Sequence, residues 1–255
     1  MAMTKAIRQH IRSLKNRKER WAKNQIIVEG AKCIRELCNS NWKVERIYFT
    51  SPWDESEFWR SDPKIESVDR ELIGNKDMEM ISAMKTPPGM LAVAHVPESF
   101  DQDFPSVGMA LFLDNVADPG NVGTLIRVAD WFGLNGVILS PNSADPLGAK
   151  AIQSSMGSTF HVPIMMRPFH ELGNAVRNQI VGLDAGGDNL FTDPMTSSPS
   201  LIVVGSESHG LSDEIRAECH VIASIPGNGR AESLNASIAG AVAVSSIIQK
   251  TAAKL

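Results

Sequence analysis

The sequence predicts an α/β protein in two units, the second built on a mostly parallel sheet. Three observations carry that expectation. Short apolar runs alternate with segments of helical periodicity along the whole chain, the pattern of a sheet layered with helices. The length, 255 residues, is enough for two domains and a sizeable core. The stretch Asp114–Gly133, DNVADPGNVGTLIRVADWFG, reads as a buried strand end (after Ala110–Leu113), a polar turn, and a helix. In that helix Val122, Leu125, Ile126, Ala129 and Phe132 recur at three- and four-residue spacing, and Gly133 is placed to end it. A loop of this kind lies at the carboxyl end of a parallel strand, where open α/β sheets bind ligands.

Taken in order, residues from about Thr4 to Trp21 read as one basic helix, with Ile7, Ile11 and Leu14 as a narrow apolar stripe. Gln25–Val28 reads as a strand. Glu29 and Gly30 follow, then a helix with Ala31, Ile34, Leu37 and Cys38 on one face. Val44–Thr50 is a second strand, and Ser51, Pro52 and Asp54 open a helix containing Phe58 and Trp59. Lys64–Val68 is expected as a third strand, with Asp69 capping a further helix, and Met90–Val96 as a buried fourth. Residues 1–98 thus form the first domain. The linker is placed at 99–106, overlapping the acidic, proline-bracketed PESFDQDFP (Pro97–Pro105).

The second domain is expected over 107–255. Its strands are Ala110–Leu113, Gly136–Leu139, Phe160–Pro163, Ile180–Leu183, Leu201–Gly205 and Val221–Ile225. Asp145 and Pro146 read as an N-cap and first helical residue. A final helix over Leu234–Ile248 is rich in Ala236, Ala239, Gly240, Ala241 and Ala243, which permits close helix contact.

Composition narrows the function. No apolar run is long enough to span a bilayer, and the start lacks signal-peptide form. Three cysteines, Cys33, Cys38 and Cys219, suit a reducing cytoplasm with buried thiols. The Cys33–Cys38 spacing lacks the second pair that zinc requires, so no metal is expected. The net charge of −4 is unevenly spread. Lys5, Arg8, Arg12, Lys15, Arg17, Lys18, Arg20 and Lys23 against Glu19 give +7 before residue 24, leaving −11 for the rest. A basic arm on an acidic body suits phosphate contact, although a solvated basic helix would look the same.

Two further loops carry chemistry. Gly205-Ser-Glu-Ser-His-Gly210 follows the apolar LIVV, and its glycines permit close backbone approach to a ligand. It has neither the lysine nor the spacing of a phosphate loop or dinucleotide fingerprint, which disfavours ATP and NAD. Glu207 is suited to accept hydrogen bonds from a ribose or to face a cation; an exposed turn acid is the plainer alternative. The third loop, IPGNGRAESLN, runs from Ile225 to Asn235; its Ser233 and Asn235 start the last helix, either as simple caps or aimed at a ligand.

Together these loops carry a resemblance. DPGNVGTLIRVADWFG resembles motif 1 of the SpoU family of RNA ribose 2′-O-methyltransferases, within the SPOUT superfamily. IVVGSESHGLSDEI and ASIPGNGRAESLNASIAGAVAV are similar to the two later motifs, in the expected order. The resemblance implies an N-terminal L30e-like RNA-binding α/β domain, whose signature IIVEG (Ile26–Gly30) puts Glu29 among the RNA-facing residues with the basic arm and Arg127. It implies a C-terminal α/β-knot domain, trefoil-knotted, binding S-adenosylmethionine and pairing as a homodimer. Asn121, Arg127, Glu207, Ser233 and Asn235 fall in the catalytic set. Gly205, Glu207, Gly210, Ile225, Pro226, Leu234 and Asn235 fall in the cofactor set. The sequence departs from the family at Gly227, where Met is usual, and at Trp131, where smaller residues are common. The implied substrate is structured RNA, ribosomal more than transfer RNA given two domains.

A ribose hydroxyl is a poor nucleophile near neutral pH, so its proton must be removed or its alkoxide stabilised. Arg127 is either a transiently neutral base held by Ser233 and Asn235, or a permanent cation that clamps phosphate while water takes the proton. The competing functions are a non-catalytic RNA-binding protein and a different nucleotide-using α/β enzyme. The intact polar set disfavours the first, and the absent phosphate-loop residues the second.

Overall fold

The computed structural model describes residues 3–54, 56–102, 108–192 and 199–252. Residues 103–107 of the expected linker lie outside them. The chain divides into two compact units. One is Met1–Ser99 with Asp145–His161, and the other is Phe100–Ala144 with Val162–Leu255.

The N-terminal unit begins with α1 (Lys5–Ser13), capped by the Thr4 hydroxyl, and α2 (Arg17–Lys23), capped by Asn16. The expected single helix is therefore broken at residues 14–16. The Arg20 guanidinium bridges the break, donating to the carbonyls of Leu14 and Lys15 at 2.9 Å each and pairing with Asp145. Ile11 and Leu14 are buried as the stripe predicts. The elements that follow are β1 (Gln25–Glu29), α3 (Ala31–Asn39), β2 (Lys43–Phe49), α4 (Pro63–Glu66), β3 (Arg70–Leu72), α5 (Asn75–Ile81) and β4 (Met90–His95). The sheet order is β1-β4-β2-β3, with β4 antiparallel to both neighbours and β3 parallel to β2.

Three local expectations fail here for visible reasons. Lys64–Val68 is not a strand: Asp62 accepts from the Lys64 N–H and Pro63 supplies the first helical φ, so the segment starts α4 instead. Asp69 caps no helix; it precedes β3, and α5 starts after Gly74. The Phe58–Trp59 segment is a 3-10 turn, Glu57–Arg60, rather than a full helix.

The second unit opens with β5 (Ala110–Leu113), α6 (Pro119–Trp131) and β6 (Gly136–Leu139). The chain then contributes Asp145–His161, including α7 (Ala149–Ser155), to the N-terminal unit. There α7 packs on β1, Trp42 meets the Phe160 ring edge-on, and Asp145 receives Arg20. The expected boundary at residue 107 places this segment in the second domain. The helix cap also moves, from Asp145 to Gly148. The expected strand at Phe160–Pro163 is shifted to β7 (Ile164–Met166), and a 3-10 turn occupies Ser158–Phe160. β8 (Ile180–Asn189), β9 (Leu201–Val204), α8 (Asp213–Glu218), β10 (Val221–Ser224) and α9 (Ala236–Ala252) complete the unit.

All described pairings of the second sheet are parallel, in the order β10-β8-β9-β5-β6-β7. Strands β5, β6 and β9 are buried at every position, as a sheet covered on both faces requires. Leu111, Leu113, Ile202 and Val204 join Leu125 and Val244 in one cluster; Phe112, Leu201 and Val203 join Phe169 and Ile215 in the other. α9 lies directly on α6, and a Cβ on Gly240 would collide with the Leu125 side chain. The small residues Ala236, Gly240 and Ala243 are thus spent on packing within the chain.

Strand order reverses between β5 and β9: β6 and β7 extend one way from β5, and β8 and β10 the other way from β9. This switch point is where an open parallel sheet leaves a crevice between diverging loops. The loops after β5 and β9 flank it.

Candidate active site

Asp118 starts α6 by accepting hydrogen bonds from the N–H groups of Gly120 (2.7 Å) and Asn121 (3.1 Å). This cap fixes the Asn121 side chain at the head of the helix, 9% exposed. Asn235 plays the same part for α9. Its Oδ1 accepts from Ser237 N (3.0 Å), Ser237 Oγ (2.6 Å) and Ile238 N (3.3 Å). With that oxygen committed, Nδ2 of Asn235 is left to donate, and it reaches Asn121 Oδ1 at 3.0 Å. Asn121 Nδ2 in turn donates to Glu207 Oε1. One chain of hydrogen bonds, Asn235 to Asn121 to Glu207, therefore joins all three loops, and each amide's orientation follows from its neighbour.

The Glu207 loop is held from both ends. Ser206 and Gly210 exchange two backbone hydrogen bonds of 3.0 Å, and a Cβ on Gly205 would collide with the Gly210 backbone. Beneath it Asp114, 1% exposed, accepts from Ser212 N and Asn115 Nδ2 at 2.7 Å each. A buried carboxylate is tolerated only with such partners. Asp114 thereby ties the end of β5 to the end of the 205–212 loop, a role sequence reading missed. Its one signal is an acid directly after an apolar strand.

These loops enclose a cleft of about 340 Å³, within the range of small-molecule sites. Leu183, Val204, Ala223, Ile225, Leu234 and Ala236 make its apolar wall. Asp184, Glu207, Glu232, Ser233 and His209 supply polar groups. Gly205, Glu207, Gly210, Ile225, Ser233 and Leu234 are thus brought together as expected positions of one site. Asn121 and Asn235 stand outside the lining and brace Glu207. Pro226 is outside the lining too, and Arg127 is exposed on α6 with no hydrogen bond or ion pair to a described residue. Asp184 was not foreseen; it sits where β8 was expected to have ended. Among the described residues, no group of three His, Cys, Asp or Glu is placed to hold a metal ion. Among them, too, no helix is long and apolar enough to cross a membrane.

In the N-terminal unit, Arg12, Lys15, Arg17, Lys18 and Lys23 are exposed. The Lys15 ammonium, on an otherwise exposed side chain, donates to the carbonyls of Met80 (3.2 Å) and Ser82, and its partial desolvation lowers its pKa. Arg8 is partly buried and paired with Asp77 at 2.5 Å. Two residues expected to face RNA are interior instead. Arg20 is 6% exposed, its fork used by two carbonyls and Asp145. Glu29 is 4% exposed and accepts from Ser82 Oγ and the Ala83 N–H (2.8 Å). The IIVEG acid thus pins the loop after α5.

A parallel sheet with its cleft at the switch point, and three loops joined by amide and carboxylate, define a small-molecule-binding α/β domain, and the sequence lacks the phosphate loop of a nucleotide hydrolase or dehydrogenase. The comparisons agree: residues 108–245 match the SpoU rRNA Methylase family and residues 5–92 the MRM3-like substrate binding domain. The chain belongs to the SpoU rRNA methylase family. It is 27% identical to the 23S rRNA (guanosine(2553)-2′-O)-methyltransferase RlmP of Bacillus subtilis, over 91% of this chain and 92% of that one. It is 30% identical to a 23S rRNA (uridine(2479)-2′-O)-methyltransferase of Streptomyces viridochromogenes, covering 88% and 82%. Among solved structures it is similar to the SpoU methyltransferase AviRb of Streptomyces viridochromogenes in complex with AdoMet. There the TM-score is 0.84 and the identity 27%, covering 97% of this chain and 98% of that one.

Proposed function

We propose that this protein is an S-adenosylmethionine-dependent RNA methyltransferase that modifies a ribose 2′-OH of ribosomal RNA. The observation that carries the reading is the Asn235–Asn121–Glu207 chain closing three loops around one cleft. The cleft fits the cofactor chemically: an apolar wall for adenine, and hydroxyl, backbone and carboxylate groups for the ribose and the cationic end. The cofactor supplies a methyl group on a sulfonium, an electrophile that needs no metal.

The chain's own residues then orient the acceptor and manage its proton. Asn235 is unsuited to hold a neutral guanidinium, because its oxygen caps α9 and its amide serves Asn121. Arg127, exposed and without a described partner, acts as a cation that clamps the RNA phosphate and stabilises the developing alkoxide. The exposed lysines and arginines of α1 and α2 supply further phosphate contact.

A homodimer through the second unit belongs to the same reading. Trp131 is 81% exposed on α6, and Ile238 and Leu234 are half exposed where α9 begins, a set of large apolar groups that suits burial against a second copy. The protein works in the cytoplasm, where its three free thiols stay reduced. The test is ribose-methylation mapping of total RNA from a deletion strain, with purified protein added back. One ribosomal 2′-O-methyl group is expected to vanish and return. Unchanged ribosomal RNA together with a vanished transfer-RNA methyl group would reassign the substrate. No lost methyl group in either would remove the activity.

A further inference from the structure

Asp184 is the fifth residue of β8, directly after Leu183, the last β8 residue paired with β9. Its carboxylate lines the cleft. The two oxygens are not equivalent. Oδ1 accepts from the Gly186 N–H at 3.1 Å and pairs with Arg216 Nη2 at 2.6 Å. Oδ2 accepts no hydrogen bond from a described residue, and it lies 3.1 Å from where a Cβ on Gly210 would stand. Gly210 itself has φ +66, so both conformation and space keep that spot clear of a side chain. Burial alone would push this carboxyl upward, but the Gly186 N–H and the Arg216 guanidinium outweigh it and hold the pKa below the ordinary range. An ionised, rigidly held oxygen with open lone pairs therefore faces the ligand side of the 205–210 loop.

Charge decides what that oxygen takes. Asp184 has a guanidinium against it, so its field in the cleft is largely offset. Glu207 is bonded to a neutral amide, so its negative charge is not offset. A cationic ligand group is drawn to Glu207, while a neutral donor pair is matched by the fixed acceptor of Asp184. A strand-end acid accepting from sugar hydroxyls beside a glycine loop is a recurrent solution in parallel sheets. Resting on the cofactor reading above, we infer that Asp184 is the ribose-binding residue of the cleft: its Oδ2 accepts from the vicinal hydroxyls of the adenosyl group, and Arg216 keeps it from acting as a counterion to the sulfonium.

Calorimetry separates the two roles. The wild type, Asp184→Ala and Asp184→Asn are each titrated with S-adenosylmethionine, S-adenosylhomocysteine, and the 2′-deoxy and 3′-deoxy forms of S-adenosylhomocysteine. Losing a hydrogen bond to a charged acceptor is expected to weaken binding roughly ten- to a hundredfold. The alanine variant should lose the same factor for the sulfonium and the thioether, because both carry the ribose. The wild type should discriminate against at least one deoxy form by a similar factor, and the alanine variant should not. The asparagine variant, which keeps the shape and one acceptor, should fall between, and it carries the test if the alanine variant melts early. Undiminished binding by a folded variant, a loss confined to the sulfonium, or a deoxy penalty that survives the substitution would each overturn the assignment. A wild type that binds none of these ligands overturns the cofactor reading itself, which sets that failure apart.

Discussion

Asn121 is the middle link of the three-loop hydrogen-bond chain, and Asn121→Ala removes both bonds at once. One goes to a carboxylate, a kind worth about 1.5–3 kcal/mol, and the other joins two neutral amides and is worth about 1 kcal/mol. Glu207 is an exposed residue, so water replaces part of the lost bond and the low end applies. The net penalty on the closed arrangement of the loops is then about 2.5 kcal/mol, or roughly seventyfold in cofactor Kd. α6 keeps its Asp118 cap, so the fold should survive. Calorimetric titration with S-adenosylmethionine reads the affinity, and a thermal melt confirms folding. In a double-mutant cycle with Asn235→Ala, the two substitutions should be non-additive, because they share one bond. An Asn121→Ala protein that binds cofactor like the wild type, or a strictly additive double variant, would refute the idea that this chain holds the cleft together.

Arg127→Ala should lower the single-turnover rate roughly a hundred- to a thousandfold while leaving cofactor Kd nearly unchanged. Retention of more than about a tenth of the rate, well short of that loss, would exclude a catalytic role. Arg127→Lys should recover part of the rate if charge is what matters, since lysine keeps the charge but loses the planar fork. Replacing Arg12, Arg17 and Lys18 with Gln should flatten the dependence of log K on log salt for RNA by roughly 0.7–0.9 for each phosphate no longer neutralised; an unchanged slope would take this face out of the interface. Burial pushes the Cys38 and Cys219 thiols up to about 11 and raises Cys33 as well. An unfolded thiol ionises near ~8.5, so the unfolded state is favoured as pH climbs from there toward the folded values. Urea midpoints should be flat with respect to these groups below that window and fall across it. Cys38→Ser and Cys219→Ser should each flatten the fall, and identical slopes in all three proteins would contradict the burial.

The three loops were legible because each combines a buried strand, turn-forming residues and a helix start within some ten residues, and such signals are local. Asn235 followed from capping chemistry, and Asn121 from the motif resemblance. What joins them did not: the Asn121–Glu207 and Asn121–Asn235 bonds cross 86 and 114 residues, and no local rule reports such distances. Arg20 illustrates the same limit. It has the composition of a solvated basic helix, but its partner Asp145 is 125 residues away. Asp184 was hidden differently. The run after Leu183, Asp-Ala-Gly-Gly-Asp, is poor in strand-forming residues. Even so, β8 continues to Asn189, held by pairing with β10 across an irregular register. Lys64–Val68 shows the reverse error: Ile65 and Val68 are spaced three apart, which suits a helix, and the adjacent Asp-Pro starts one.

The assignment of Asp145–His161 to the first unit makes the order of synthesis matter. A nascent chain emerges N-terminus first, and domains that are continuous in sequence can close as they leave the ribosome. This one cannot. The β1 surface waits for α7 and Arg20 for Asp145, while β5, α6 and β6 have already been made. Until residues 145–161 are released, Arg20 lacks its counter-charge and β1 lacks its cover from α7. A fragment ending near residue 98 would carry the same defect permanently.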